Sequence, residues 1–244
     1  MRMNTTKCLA AILAAGLVAG TGAAWGSVEP TVSIAIGGGN FAPLGGTPTL
    51  LAGGTYDFGS QTDYSGSGFS WSDLTVTPSV ISESGFDVYQ LSLEVDSLTN
   101  SGSLASIAFQ SDYTGYNLPA AVLLQGSLGA DVSNGSSSDG ISYSGAVADS
   151  GGSPSASLGS WSEALATNPY SQGYQYTDPL YIQSYGIAGA TDITTTGGAK
   201  FANGTTVNSL NPVTDVTTPE PATLALFVLG GLALLWPRRK RRKP

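Results

Sequence analysis

Apolar and polar residues alternate in short runs along most of the chain, and clusters of Gly, Ser, Asn and Pro separate the runs. The clearest run is VYQLSLEV, in which Leu91, Leu93 and Val95 share one face while Ser92 and Glu94 share the other. This alternation is typical of a β-strand with one buried face. The runs with this pattern are Thr31–Ile36, Phe69–Thr77, Asp87–Val95, Leu104–Phe109, Ala121–Gln125, Ile141–Val147, Leu180–Tyr185, Ala199–Ala202 and Thr205–Val207.

Many short strands between glycine-rich turns favour a mainly β body, an antiparallel β-sandwich or a jelly-roll-like fold. One short helix is predicted around Ser160–Leu165, because Ser160 is a suitable N-cap and Glu163 lies three residues later. Two stretches with little apolar content, Asp131–Gly140 and Asp149–Ser157, are predicted as loops.

The N-terminal segment has the order of a secretory signal peptide, which is a signal helix in the precursor. Arg2 and Lys7 precede the run CLAAILAAGLVAG, and small residues follow it. Cleavage after Ala24 or after Gly26 fits the small-x-small rule, so we expect Sec-type export and removal by signal peptidase; an uncleaved anchor is the alternative. Cys8, the single cysteine, would leave with the signal, and the mature chain would have no disulfide.

The C-terminal segment has three parts. Pro219, Glu220 and Pro221 come first, and residues 222–236 are uncharged and mostly apolar. The third part is a basic cluster that contains Arg238, Arg239, Lys240, Arg241, Arg242 and Lys243. As a helix, the apolar part would be about 22 Å long, against a hydrocarbon core of about 30 Å, and flanking Trp and Arg side chains can extend the match. We expect residues 222–236 to be a transmembrane helix with the basic cluster in the cytoplasm.

This order of Pro-Glu-Pro, apolar span and basic cluster resembles the PEP-CTERM sorting signal over residues 217–243. The resemblance implies that an exosortase, a membrane transpeptidase, acts near the Pro-Glu-Pro and removes the helix and the basic tail. It implies sorting and no particular activity, since the passengers of this family differ widely. Thr218 stands where the family often has Val. The same tail is also described as an ice-binding protein C-terminal domain, and a plain tail anchor is the alternative.

The chain is therefore predicted to have four parts. Residues 1–26 form the signal peptide, and residues 27–207 form a β-rich passenger domain. Residues 208–217, which contain Pro212 and several Thr, form a linker, and residues 218–244 form the sorting tail.

Composition and charge exclude several classes of protein. Gly, Ser and Thr together are 89 of 244 residues, which disfavours a helical bundle because these residues are poor helix formers. The segment 27–218 has 16 acidic residues and one basic residue, Lys200, and hence a net charge of −15. Such a surface repels phosphates, so no nucleic-acid partner is expected.

Catalytic chemistry is largely absent from the sequence. The chain has no histidine, which excludes Ser-His-Asp and Cys-His nucleophiles and His-based zinc sites, and it has no Gly-x-Ser-x-Gly motif. A carboxylate pair for glycoside hydrolysis would have to use Glu83, Glu94 or Glu163, and Glu94 follows the pattern of a solvent-exposed strand face. We therefore expect no catalytic residue, no metal site and no cofactor.

The densest aromatic segment suggests one binding surface. Tyr174 and Tyr176 could stack on sugar rings, and ordinary sheet packing is the alternative interpretation. The Thr-rich stretches at 75–77 and 194–196 are too few and too irregular for an ice-binding ladder. The main hypothesis is an exported, non-catalytic protein, first a membrane-associated precursor and then part of the cell envelope or extracellular matrix, associated with exopolysaccharide. The alternative hypothesis is a secreted carbohydrate-binding or carbohydrate-active β-sandwich module.

Overall fold

The structure is a computed structural model, and most of its described residues lie in β-strands. It describes residues 28–83, 86–118, 123–151, 155–164, 170–177 and 189–219. The strands are β1 Thr31–Ile36, β2 Ala42–Pro43, β3 Thr49–Leu50, β4 Tyr56–Asp57, β5 Phe69–Ser70, β6 Asp73–Glu83, β7 Phe86–Asn100, β8 Ala105–Leu118, β9 Leu123–Ser133, β10 Gly140–Asp149, β11 Ser155–Ala164, β12 Tyr170–Thr177, β13 Gly189–Phe201 and β14 Thr206–Pro219. The helical structure in these ranges is one short 3-10 turn, Tyr64–Gly66, so none of them contains a helix that could cross a membrane.

The strands form two antiparallel sheets that pack face to face. Sheet A has the order β11-β10-β13-β8-β1-β2, and sheet B has the order β12-β9-β14-β7-β6-β4-β3, with β5 paired to β7. Within them, β7-β14-β9-β12 and β8-β13-β10-β11 are two four-stranded sets. Each connection within β7–β14 runs from one sheet to the other, except for the β10–β11 connection, which stays in sheet A. This pattern of connections is the double Greek key of a jelly roll. The prediction of a mainly β, antiparallel body is confirmed.

The core lies between the sheets and follows the alternation of the sequence. Leu91, Leu93 and Val95 of β7 have no exposed surface, whereas Glu94 on the opposite face is exposed. The same period is present in β9, where Leu124, Leu128 and other alternate residues are buried between polar neighbours. Ser and Thr can occupy the outer positions of these strands because one face of each sheet contacts solvent. The strands are consequently longer than the apolar runs alone indicate.

Several strand predictions agree with the structure. Thr31–Ile36 is β1, and the predicted runs at 87–95 and 141–147 lie within β7 and β10. The run Leu180–Tyr185 lies outside the described residues. Residues 134–139 form the predicted loop between β9 and β10, although residues 131–133 complete β9.

The helix predicted around Ser160–Leu165 is wrong. Residues 155–164 form strand β11, which pairs with β10 through Ser142↔Ser162 and Tyr143↔Trp161. Ser and Gly have weak helix propensity, and pairing with a strand that is itself buried on one face satisfies the main-chain groups of this segment. Leu165 lies outside the described residues.

The linker predicted at 208–217 is also corrected, because these residues belong to strand β14 at the centre of sheet B. β14 pairs with β9 on one side and β7 on the other, and Leu210 and Val216 are fully buried. Pro212 lacks a main-chain N–H, and the ladder to β7 omits Asn211 and Pro212. A Cβ on Gly197 in the facing sheet would lie 2.6 Å from Pro212 Cγ, so the missing side chain of that glycine makes room for the proline ring.

Buried hydroxyl groups connect the two sheets. The Tyr143 and Thr214 hydroxyls lie 2.9 Å apart, and Thr195 donates to the Leu91 carbonyl at 3.0 Å. Tyr116 donates to the carbonyls of Ser79 and Gln90. Burial raises the pKa of both tyrosines well above the usual range, so both remain neutral hydrogen-bond donors.

Candidate functional site

The junction between the folded body and the C-terminal tail is the first candidate site. The last residues of β14 pair with β7 as Thr217↔Val88, Thr218↔Asp87 and Pro219↔Phe86. Thr218 has no exposed surface, and its hydroxyl donates to the Asp87 carbonyl at 3.4 Å. The body is therefore folded up to the first proline of the Pro-Glu-Pro motif.

The rest of the predicted tail lies outside the described residues. This applies to Glu220 and Pro221, to the apolar part at 222–236, and to the basic cluster at 238–243. The predicted signal peptide at 1–26 lies outside them as well. The structure therefore places only Pro219 of the predicted sorting residues, at the end of β14.

The strand directions give the sandwich two distinct ends. The end at which β14 terminates, here called the anchor end, also contains the ends of β6 and β8 and the starts of β7 and β9. The opposite or distal end contains the turn from β13 to β14, residues 202–205. Since β14 has 14 residues, the two ends are about 45 Å apart.

A cleft of about 440 Å³ lies on sheet A at the distal end. Four small residues that line it, Ser162, Ser142, Ala108 and Ala35, belong to one cross-strand row, in which Gly198 lies between Ser142 and Ala108. Because none of these residues has a large side chain, the outer face of sheet A has a depression along this row. The neighbouring loops complete the wall of the cleft.

The only basic residue of the segment 27–218, Lys200, lies at the rim of this cleft. It is exposed, and no carboxylate of the described residues forms an ion pair with it. Asp139 also lines the cleft and is 1% exposed; its Oδ2 accepts hydrogen bonds from the Ser136 N–H and the Thr205 hydroxyl, both at 2.8 Å. Its Oδ1 is buried without a hydrogen-bond partner among the described residues. The cleft thus combines an exposed ammonium group and hydroxyl groups with the buried carboxyl group of Asp139, although no sequence motif indicated it.

The predicted sugar platform stays a prediction. Tyr174 and Tyr176 lie on β12, where they pair with Leu128 and Gly126 of β9. Their side chains lie outside the described part of the structure. The backbone register alone therefore does not test stacking on a sugar ring.

Glu94, one of the three glutamates considered for catalysis, lies on the outer face of sheet B near Asp73 and Asp96. Glu94 is exposed, as its strand pattern predicts, and the side chains of Glu83 and Glu163 lie outside the described residues. Partial burial and the charges of Asp96 and Asp73 raise the pKa of Glu94. No group of three or more Asp, Glu, His or Cys residues suited to a metal ion occurs in the described ranges.

Asp215 is the most buried of the acids whose pKa is shifted. Burial raises the pKa of this carboxyl, and a hydrogen bond from Gln90 Nε2, at 2.9 Å, partly opposes the rise. Burial also raises the pKa of Asp73 and Asp192, with neighbouring carboxylates adding to the effect. These groups bind protons more readily in the folded chain than in the unfolded chain.

We expect the free energy of unfolding to increase on acidification from neutral pH to about pH 4.5. The ordinary pKa values are 3.8 for Asp and 4.5 for Glu, and at pH values above them the folded state binds more protons than the unfolded state. Stability is therefore lost as the pH rises through the raised pKa values of the folded state. Urea unfolding of the processed protein at constant ionic strength measures this. Asp215→Asn should flatten the dependence and Gln90→Leu should steepen it. A stability that is constant or increases with pH would contradict the expectation.

The comparisons with known proteins bear on the C-terminal segment. Residues 217–241 match the family described as "PEP-CTERM protein-sorting motif", which confirms the predicted sorting signal. This motif implies an exported, membrane-anchored precursor that is sorted to the cell surface, with exosortase as its processing partner. No curated protein matches the chain. One solved structure, "Structure of infectious bursal disease virus Gx strain", is similar over 89% of this chain and 70% of its own, with 10% identity and a TM-score of 0.20, too low to support an argument.

Proposed function

We propose that this chain is the precursor of a non-catalytic cell-surface or extracellular matrix protein. The single observation that carries the proposal is the direct fusion of the sorting motif to β14, the strand at the centre of sheet B. In the proposed sequence of events, the chain is exported by the Sec pathway, and signal peptidase removes the signal, residues 1–24 or 1–26. Residues 222–236 then hold the precursor in the membrane until exosortase removes them.

This function agrees with the chemistry of the body. The chain has no histidine for nucleophile activation, and Glu94 is exposed to solvent. The net charge of −15 and the Ser/Thr-rich outer strand faces suit a hydrated exterior. The cleft lies at the distal end, about 45 Å from the anchor, and would face away from the membrane.

The test is the intact mass of the native protein from fractionated cells, with and without the exosortase. The proposal expects a product that ends near Pro219–Pro221 outside the inner membrane, and its absence from the exosortase mutant. A full-length tail in the inner membrane of both strains would instead identify a plain single-span anchor. The same spectra distinguish signal cleavage after Ala24 from cleavage after Gly26.

A second candidate function, binding of polysaccharide, is favoured by the cleft on sheet A. Sugar hydroxyls donate and accept hydrogen bonds, and the cleft provides the Lys200 ammonium as a donor and the Ser142 hydroxyl as a donor or acceptor. A largely neutral glycan fits better than a polyanion, because the rest of the segment 27–218 carries no positive charge. This site would associate the displayed protein with exopolysaccharide.

Filling the cleft should weaken this binding. We expect Ser142→Trp to reduce affinity for exopolysaccharide purified from the host strain by about 10-fold or more, and Lys200→Ala to reduce it less. Ser127→Trp, on the outer strand face of sheet B, is the matched control and should bind normally. Affinity electrophoresis of the processed protein gives the comparison. Unchanged binding by Ser142→Trp, with loss of binding by Tyr174→Ala and Tyr176→Ala, would move the site to β12.

A further inference from the structure

The sorting motif and the last strand overlap. The motif covers residues 217–241, and β14 extends to Pro219, so three residues belong to both. Between Pro219 and the apolar part that starts at Ala222 there are only Glu220 and Pro221. Two extended residues span about 7 Å. The chain has no tether that would separate the folded body from a membrane enzyme.

The shared residues already use their main-chain groups. Thr217 pairs with Val88 of β7 and with Leu123 of β9, and pairing with β7 continues through Pro219. The buried side chain of Thr218 adds its hydrogen bond to the Asp87 carbonyl. Because β7 and β9 lie on both sides of it, β14 has no free edge up to Thr217, and among the described residues Thr218 and Pro219 pair with β7 alone.

Recognition sites that bind a peptide by strand addition use the same main-chain hydrogen bonds that a sheet uses. A site of this kind that includes residues 217–219 competes with β7 for all three residues and with β9 for Thr217. The folded body also begins directly beside the motif, because β14 ends at Pro219.

The pairing of β14 with β7 has a gap at which a local opening of the strand end can stop. Pairing with β7 omits Asn208, Asn211 and Pro212 and is continuous from Val213 to Pro219. Pairing with β9 is continuous from Ser209 to Thr217, so this boundary lies on the β7 side alone. Residues 213–219 can therefore separate from β7 while residues 206–210 remain paired. Local opening of one such segment needs less free energy than global unfolding.

We propose that exosortase processes this chain only after the C-terminal part of β14, residues 213–219, has left sheet B. The surface that the enzyme recognises is then the released strand end, and the pairing of β14 with β7 and β9 determines the processing rate. This inference rests on the proposed function, in which exosortase acts near Pro219–Pro221.

A disulfide across the strand end tests the inference. In the full-length chain we would combine Thr217→Cys with Val88→Cys, which are directly paired across β14 and β7. The matched control is Thr206→Cys with Thr99→Cys, which joins the same two strands at the distal end. Neither pair competes with another thiol in the mature chain, since Cys8 is the only cysteine of the sequence and lies in the predicted signal. The readout is the ratio of processed to full-length protein in exosortase-positive cells, with the disulfide verified by electrophoretic mobility.

We expect the oxidised anchor-end pair to lower the processed fraction about 10-fold relative to the oxidised control, and reductant to restore processing. If the first variant does not fold, Thr217→Cys with Leu123→Cys locks β14 to β9 instead. Equal processing of the oxidised anchor-end and distal pairs would overturn the inference. Failure of the wild-type chain to be processed in the same cells would contradict the proposed function itself, so the two failures are distinguishable.

Discussion

Replacement of Gly126 by valine is expected to lower the free energy of unfolding by about 3 kcal/mol. Gly126 lies on β9 of sheet B, and Tyr143 reaches it from β10 of sheet A. A Cβ on Gly126 would lie 2.1 Å from the Tyr143 hydroxyl and 2.4 Å from Cζ, far inside van der Waals contact. The ring cannot move freely, because its hydroxyl is 2.9 Å from the Thr214 hydroxyl and a Cβ on Gly145 would also approach it, at 2.3 Å.

Gly129→Ala is the matched control for this substitution. It lies three residues further along β9, on the opposite face of the strand, and a Cβ there would meet nothing closer than Asn211, at 3.9 Å. We expect Gly129→Ala to change the free energy of unfolding by less than about 1 kcal/mol, or to raise it slightly because alanine reduces the entropy of the unfolded chain. Urea unfolding of the processed variants measures both. A Gly126→Val protein as stable as Gly129→Ala would show that the two sheets can separate locally to admit the side chain.

Replacement of Trp71 by alanine is expected to lower the free energy of unfolding by about 4 kcal/mol. Trp71 is 2% exposed, and its ring meets Phe109 of β8 edge to face, with centroids 5.2 Å apart. It also contacts Tyr64, and its Nε1 donates to the Gly59 carbonyl at 3.2 Å. The substitution removes a large buried surface and leaves a polar carbonyl without its donor, so cavity and hydrogen-bond costs add.

Two variants separate these contributions. Trp71→Phe keeps most of the packing against Phe109 but removes the donor, and should cost about half as much. Tyr64→Ala should cost less than Trp71→Ala, because Tyr64 is only partly buried. Thermal and urea unfolding of the three variants measure the order of their stabilities. If Trp71→Ala costs no more than Tyr64→Ala, the Trp71 ring is not a central part of the core.

The fold was predictable where alternation is strong and each strand has apolar residues on one face. Leu91, Leu93 and Val95 are fully buried as their spacing predicts. The prediction failed in β11, whose first six residues include three Ser and one Gly, because Ser and Gly also suit loops and caps. The pattern of one strand does not indicate which neighbours will satisfy its main-chain groups.

The sorting motif was predictable because its three parts are contiguous in sequence, and their order requires no tertiary contact. The cleft was not predictable in this way. Ser142, Gly198 and Ala108 lie on three different strands, and only strand order and register place them in one row. Their sequence neighbours carry no motif that connects them.

The sequence alone indicated the sorting motif, the acidic body and its antiparallel β character, because each depends on local order, composition or the two-residue period of a strand. Only the tertiary structure decided that residues 208–217 form a central strand and not a linker. A proline in a Thr-rich segment normally marks a break, but Pro212 fits here because the facing Gly197 has no side chain and the β7 ladder is interrupted beside it. The contact between Gly197 and Pro212 joins residues 15 positions apart in two different sheets, and it allows β14 to continue to the first residues of the sorting motif.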